Sequence, residues 1–138
     1  MEKEKVLFIC THNSARSQMA EGLLRFLASD RFDVYSAGTE STFVKPFAIE
    51  AMQKKGIDIR NQTSDVIDKY MEMDFDYVIT VCDHARETCP YFPTTHQQLH
   101  WGFEDPSDAK GDDAFVLSEF CRVRDLIEDK IRSYFQIG

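Results

Sequence analysis

The apolar positions of this chain alternate between short continuous runs and helical stripes. Val6-Leu7-Phe8-Ile9 is an unbroken apolar run ending at Cys10, the pattern of a strand buried on both faces. Met19, Ala20, Leu23, Leu24 and Leu27 then share one helical face, which predicts a helix from about Ser17 to Ala28. Phe32 to Ala37 reads as a second strand, ended by Gly38. Pro46 suits the first turn of a helix whose inner face is Ala48, Ile49 and Met52, and Gly56 stands where a C-terminal cap belongs. Asp58 to Thr63 has loop composition, and Ser64 is placed to cap a short helix through Tyr70. The β-branched content of Tyr77 to Val81 predicts a third, buried strand. Asp83 to Thr88 is expected to be a short helix stopped by Pro90 and Pro93, and Gln98 to Trp101 a last strand. A polar loop from Gly102 to Gly111 holds Asp105-Pro106, and Val116, Phe120, Val123, Ile127 and Ile131 mark a long C-terminal helix.

Strands alternating with helices imply an α/β fold with a parallel sheet, right-handed crossovers and helices on both faces. Four strands with the first one central make a single-domain, three-layer, flavodoxin-like sandwich over residues 1–138. No repeat or linker composition divides the chain. Sheets of this kind bind ligands beyond the carboxyl ends of their strands, beside the first strand. Cys10 is expected there.

Composition narrows the partners. A net charge of −8 argues against a nucleic-acid surface, where affinity comes from Lys and Arg neutralising phosphates. A small anionic substrate would therefore need a local positive site in an acidic molecule. The apolar run before Cys10 is too short for a signal segment or a membrane span, so a cytoplasmic protein with no membrane partner is expected. In that compartment the four cysteines Cys10, Cys82, Cys89 and Cys121 read as thiols, and a disulfide among them as catalytic or transient. Their spacing does not suit zinc.

The chemistry centres on Cys10-Thr11-His12-Asn13-Ser14-Ala15-Arg16-Ser17, a loop between a strand and a helix. Unpaired N–H groups at a helix start and in a tight turn form a nest for an anion. That potential and the Arg16 guanidinium should favour the Cys10 thiolate, and the Arg16 fork can hold two oxygens of a tetrahedral oxyanion. Asn13, Ser14 and Ser17 are cap-type residues. Cysteine and arginine six apart are weak evidence alone; the strand before them and the amphipathic helix after them carry the reading.

Cys82 follows the third strand. If that strand neighbours the first, Cys10 and Cys82 stand at adjacent carboxyl ends about 4.8 Å apart, within reach of a disulfide after small adjustment. Cys89 lies seven residues on. Across an intact helix that is a rise of roughly 10 Å, too far for a disulfide. A Cys82–Cys89 bond thus requires the intervening segment to unwind, which its mixed residues make cheap. Cys121, beside the inner-facing Phe120, reads as a small buried apolar residue. Asp105 follows the last strand on the same sheet edge as Cys10 and can protonate a departing oxygen; Glu104 and Asp108 compete for that role.

Taken together, Cys10 through Gly22, Val34-Tyr-Ser-Ala-Gly38, Gly56-Ile-Asp-Ile, Gln62-Thr-Ser-Asp65, Cys82, Cys89-Pro90 and His100 through Pro106 resemble the thioredoxin-coupled arsenate reductases over nearly the whole chain. That family shares the low-molecular-weight protein tyrosine phosphatase fold. The resemblance implies that Thr11 to Ser17 bind arsenate, that Cys10 attacks its arsenic with help from Arg16 and Ser17, and that Asp105 protonates the leaving oxygen. Cys82 then attacks Cys10, Cys89 attacks Cys82, and thioredoxin reduces the Cys82–Cys89 bond. It implies a monomer with no required cofactor. A potassium ion carried by some members would fall at Asn13, Glu21, Ser36, Thr63 and Asp65, whose oxygens could equally just pin the loop by hydrogen bonds.

Two positions depart from the pattern. His12 stands where the family usually has glycine; it is a candidate base, but an exposed loop imidazole without that role is the better reading. Ala15 replaces an extra cysteine of many members. The competing functions are a phosphatase of the same fold and a non-enzymatic redox sensor or oxyanion-binding module. Against the phosphatase, Ser107 and Asp108 follow Asp-Pro where tyrosines would wall an aromatic substrate.

Overall fold

A computed structural model describes residues 3–82 and 97–138. The elements run in the expected alternation: β1 (Glu4–Cys10), α1 (Arg16–Ala28), β2 (Phe32–Gly38), α2 (Pro46–Gln53), β3 (Tyr77–Thr80), β4 (Gln97–His100) and α3 (Asp113–Phe135). Two short 3-10 helices, Ile67–Tyr70 and Pro106–Asp108, lie between them. The strands form one parallel sheet in the order β2-β1-β3-β4, so β1 is internal and β3 neighbours it. Val6, Leu7, Phe8 and Ile9 have no exposed surface, as a continuous apolar run in an internal parallel strand should.

One face of the sheet carries α1, α2 and α3, which pack on one another. There the rings of Tyr77 and Trp101 meet Tyr134 and Phe135 of α3. Alternation turns Tyr35 to the opposite face, where its ring meets Tyr70 and Phe75. The described cover of that face is thus the 3-10 segment around Tyr70; the expected helix from Asp83 to Thr88 lies outside the described residues. Leu23, Leu24 and Met19 of α1 are buried, each contributing about 1.5–3 kcal/mol by leaving water. Gly22 sets how closely α1 seats: a Cβ there would stand 2.6 Å from Ile59 Cγ2. No helix among the described residues is long and apolar enough to cross a membrane.

Several local expectations shift. β3 stops at Thr80, and β4 runs from Gln97 rather than Gln98. Ser64 does not cap the segment before Tyr70; Val66 precedes that 3-10 turn without a side-chain bond. Ser64 Oγ instead accepts from Thr42 N and donates to His12 O. Gly56, at φ 75°, occupies the turn after α2 rather than the cap itself, which is Lys54. Cys121 is half-buried against the core, not fully enclosed, because Phe120 beside it takes the inward direction on α3.

Candidate active site

The loop from Thr11 to Ala15 joins β1 to α1, and its carbonyls are tied from outside. Thr11 O accepts from Glu40 N (3.0 Å) and Thr39 Oγ1 (3.1 Å). His12 O accepts from Thr42 Oγ1 and Ser64 Oγ, and Asn13 O from Gln18 Nε2. Ser14 O accepts from Lys45 N, and Ala15 O from Met19 N, both at 2.8 Å. A planar peptide points its N–H opposite to its C=O. The N–H groups of His12 through Arg16 are therefore turned away from these anchors. That is how a short segment becomes an anion nest.

Asn13 is the keystone. It is fully buried and adopts φ 48°, a left-handed conformation that asparagine tolerates better than most residues. Its amide nitrogen donates to Ser17 Oγ (2.8 Å) and Ser36 Oγ (2.9 Å), and its Oδ1 accepts from Asp65 N (2.8 Å). Gly38 supports the same loop from β2. A Cβ there would lie 2.6–2.8 Å from Glu40 O, Thr11 O and Asn13 N, so only glycine lets the backbones approach. The cap-type residues do not cap α1: Ala15 holds the N-cap position without a side-chain bond, while Asn13 and Ser17 spend their polar atoms on each other.

Cys10 and Cys82 are both buried. Cys82 Sγ lies 3.3 Å from Thr11 Oγ1. The neighbouring Cys82 thiol and burial push the Cys10 thiol well above the ordinary range. The Arg16 guanidinium and a backbone hydrogen bond from Thr11 pull the other way. The loop and Arg16 do favour the thiolate, as expected, but the neighbouring thiol and the dry setting outweigh them. Cys89 lies outside the described residues, so the third thiol is not placed.

Arg16 is committed at two of its nitrogens. Nη1 donates to Phe103 O at 2.9 Å, and Nη2 stands 3.4 Å from Asp105 Oδ2. Nε is buried with no hydrogen-bond partner among the described residues. The fork is thus clamped in orientation rather than wholly free for a ligand. Asp105 accepts from Ser107 N at Oδ1, which fixes its carboxyl at the start of the 3-10 turn. Its rivals fall away. Glu104 pairs with Arg122 of α3, which lowers its carboxyl from the usual range, and Asp108 does not line the cleft. The cleft holds about 190 Å³ and is lined by Cys10, His12, Ser14, Ala15, Arg16, Lys45, Asp105 and Ser107. His12, half-exposed, faces Glu40 Oε2 at 3.4 Å at its rim.

The five residues expected around a potassium ion do converge. Ser36 Oγ donates to Glu21 Oε1 at 2.5 Å, and Thr63 Oγ1 donates to Asp65 Oδ2 at 3.0 Å. They adjoin Asn13 through the bonds above. Their oxygens are of the hard kind an alkali cation takes. Here they bond one another, with Arg25 on Glu21 and Lys69 on Asp65. Burial raises the Glu21 carboxyl, and Ser36 and Arg25 counter it.

Sequence reasoning missed Lys45, Gly38 as a support, and the Gln18–Gln62 brace. Gln62 Nε2 donates to Gln18 Oε1 (2.8 Å), and Gln18 reaches Asn13 O and Thr63 O. Gln18 sits one position after Ser17, on a turn read for its apolar stripe and for the resemblance; its full burial shows only in the folded chain.

This site on this sheet defines a class. The low molecular weight phosphotyrosine protein phosphatase family matches residues 5–137, and the chain belongs to it. Within that family it is similar to the arsenate reductase of Halalkalibacterium halodurans, 46% identical over all of this chain and 99% of the relative. It is 45% identical to that of Oceanobacillus iheyensis over the same shares. A solved arsenate reductase in the phosphate binding state superposes with a TM-score of 0.83 at 36% identity, covering 98% of this chain and 99% of the other.

Proposed function

We propose that this protein reduces arsenate to arsenite through Cys10, Cys82 and Cys89, with thioredoxin as the final reductant, as a cytoplasmic monomer. The observation that carries the reading is the buried Cys82 thiol beside Cys10, 3.3 Å from Thr11 Oγ1 of the anion loop. Phosphoryl transfer through a cysteine needs one nucleophile; a second thiol against it is suited to electron transfer.

Arsenate enters the loop of Thr11 to Ser17 and meets the inward N–H groups and the open Nε of Arg16. As it binds, the Cys10 proton passes to the Asp105 carboxylate across the cleft, and Arg16 steadies the thiolate left behind. The Cys10 thiolate attacks arsenic, and an As–O bond breaks as Asp105 hands its proton to the departing oxygen, which leaves as water. Ser17, held by Asn13, orients the Cys10 side of the loop. Cys82 then attacks Cys10 Sγ as thiolate. The S–S bond forms, the S–As bond breaks, and its electron pair stays on arsenic, which departs as arsenite. Two thiols have lost two electrons, and arsenic(V) has become arsenic(III). Cys89 attacks Cys82 and frees Cys10, and the thioredoxin dithiol reduces Cys82–Cys89 by the same exchange.

The chemistry needs no resident cofactor. A potassium ion would sit among Glu21, Ser36, Thr63 and Asp65 and stiffen the loop through Asn13, with no part in the electron transfer.

Arsenate-dependent oxidation of NADPH in the presence of thioredoxin and its reductase tests the proposal. Steady oxidation is expected. A flat trace with rapid hydrolysis of an aryl phosphate would assign the site to the phosphatase reaction, which Cys10, Arg16 and Asp105 could also serve.

A further inference from the structure

The charges lining the cleft do not favour a dianion as they stand. Arg16 is offset by Asp105 at 3.4 Å, and His12 is engaged by Glu40 at the rim. The remaining cation of the lining is Lys45. It is half-buried at the N-cap of α2, and its backbone N–H holds Ser14 O at 2.8 Å, which fastens it to the anion loop itself. Among the described residues its ammonium makes no ion pair, whereas Lys3, Lys55 and Lys69 each face a carboxylate. Pro46 at the next position fixes the backbone direction at the start of α2. In a molecule of net charge −8, a lysine that lines a cleft of this size and has no ion pair among the described residues is well placed for an anionic ligand.

We infer that Lys45 is a substrate-binding residue: its ammonium contacts the outer oxygens of the bound tetrahedral oxyanion and supplies the net positive charge that Arg16, paired with Asp105, does not. This rests on the oxyanion reading of the cleft and extends it to a side chain outside the loop. Arg16 would hold the anion from within, and Lys45 from the mouth. The charge added is of the kind that separates a dianion from a monoanion of the same shape.

Two measurements test this on the full chain. The first is the arsenate KM and kcat of Lys45→Gln, Lys45→Arg and Lys54→Gln in the coupled assay. Lys45→Gln should raise KM about tenfold, the equivalent of one weak hydrogen bond to a charged group, and leave kcat within about twofold. Lys45→Arg should restore most of the loss. Lys54, exposed just beyond α2, should show no change. The second is protection of Cys10 from alkylation by inorganic phosphate, read by mass spectrometry of the Cys10 peptide. Lys45→Gln should need about tenfold more phosphate for the same protection. Phosphate protection does not depend on the reductase reaction, so it reads Lys45 even if the coupled assay is silent. Unchanged protection in Lys45→Gln, or a fall in kcat with unchanged protection, overturns the inference.

Discussion

Thr11 Oγ1 stands 3.3 Å from Cys82 Sγ, joining the first residue of the anion loop to the end of the neighbouring strand. The contact follows from topology. β1 and β3 are parallel neighbours, with Ile9 opposite Thr80, so the two chains leave the sheet side by side. The first thiol, at the end of β1, therefore has a second sulfur beside it.

The thiol relay predicts distinct phenotypes along that line. Cys10→Ser should abolish turnover. Cys89→Ser should allow one turnover and accumulate a Cys10–Cys82 disulfide, visible by peptide mapping after a single exposure to arsenate. Sustained turnover of Cys89→Ser with thioredoxin would contradict the relay.

Asp105→Asn should slow the first chemical step by about 10²–10⁴-fold, the range of general acid catalysis, without preventing anion binding. Single-turnover kinetics with arsenate in excess check this. An unchanged rate would move the acid elsewhere.

Asn13→Ala should destabilise the fold by about 2–4 kcal/mol, since it leaves the partners of a buried amide unmatched and puts a Cβ-bearing residue without a helpful side chain at φ 48°. Urea unfolding gives the number. A loss under half a kcal/mol would mean that the loop does not depend on this side chain.

Glu21 gives a pH signature. Burial raises its carboxyl in the folded state above the ordinary 4.5, against the pull of Ser36 and Arg25. Through the interval from that value up to the folded one, the native state holds more protons than the unfolded state. Its contribution is therefore full below about pH 4.5 and declines as pH rises. The stability of the wild type relative to Glu21→Gln should fall between pH 4 and neutrality in urea titrations. A flat difference would show that the ion pair with Arg25 cancels the burial.

The strand and helix order was legible because the apolar runs and stripes are clean. Val6 to Ile9 and the α3 stripe admit no other pairing of period and length. Cys10, Arg16 and Asp105 converge as their places at the strand ends implied. What eluded the sequence was the use of polar atoms. Ser64, Ser17 and Asn13 have the composition of helix caps, yet each serves the loop, because a loop tied outward needs donors that would otherwise cap. The Cys10 proton follows the same rule: the positive loop is visible in sequence and does favour the thiolate, but the opposing pull of Cys82 and of burial exists only after folding. Lys45 escaped notice because an ordinary lysine before a proline carries no local sign that its backbone N–H will hold Ser14 O.

The outward tethering of the loop carbonyls has a last consequence. A receptor braced from behind keeps its shape when vacant, and it welcomes any tetrahedral guest of suitable size. Phosphate, far more abundant in most cells than arsenate, would lodge as comfortably. On the proposed chemistry, choice then resides downstream of capture. Only a centre willing to accept an electron pair lets Cys82 complete its attack, and phosphorus declines where arsenic consents. Selectivity would be settled by reducibility, and the cell's phosphate would set how long each visit by arsenate must wait.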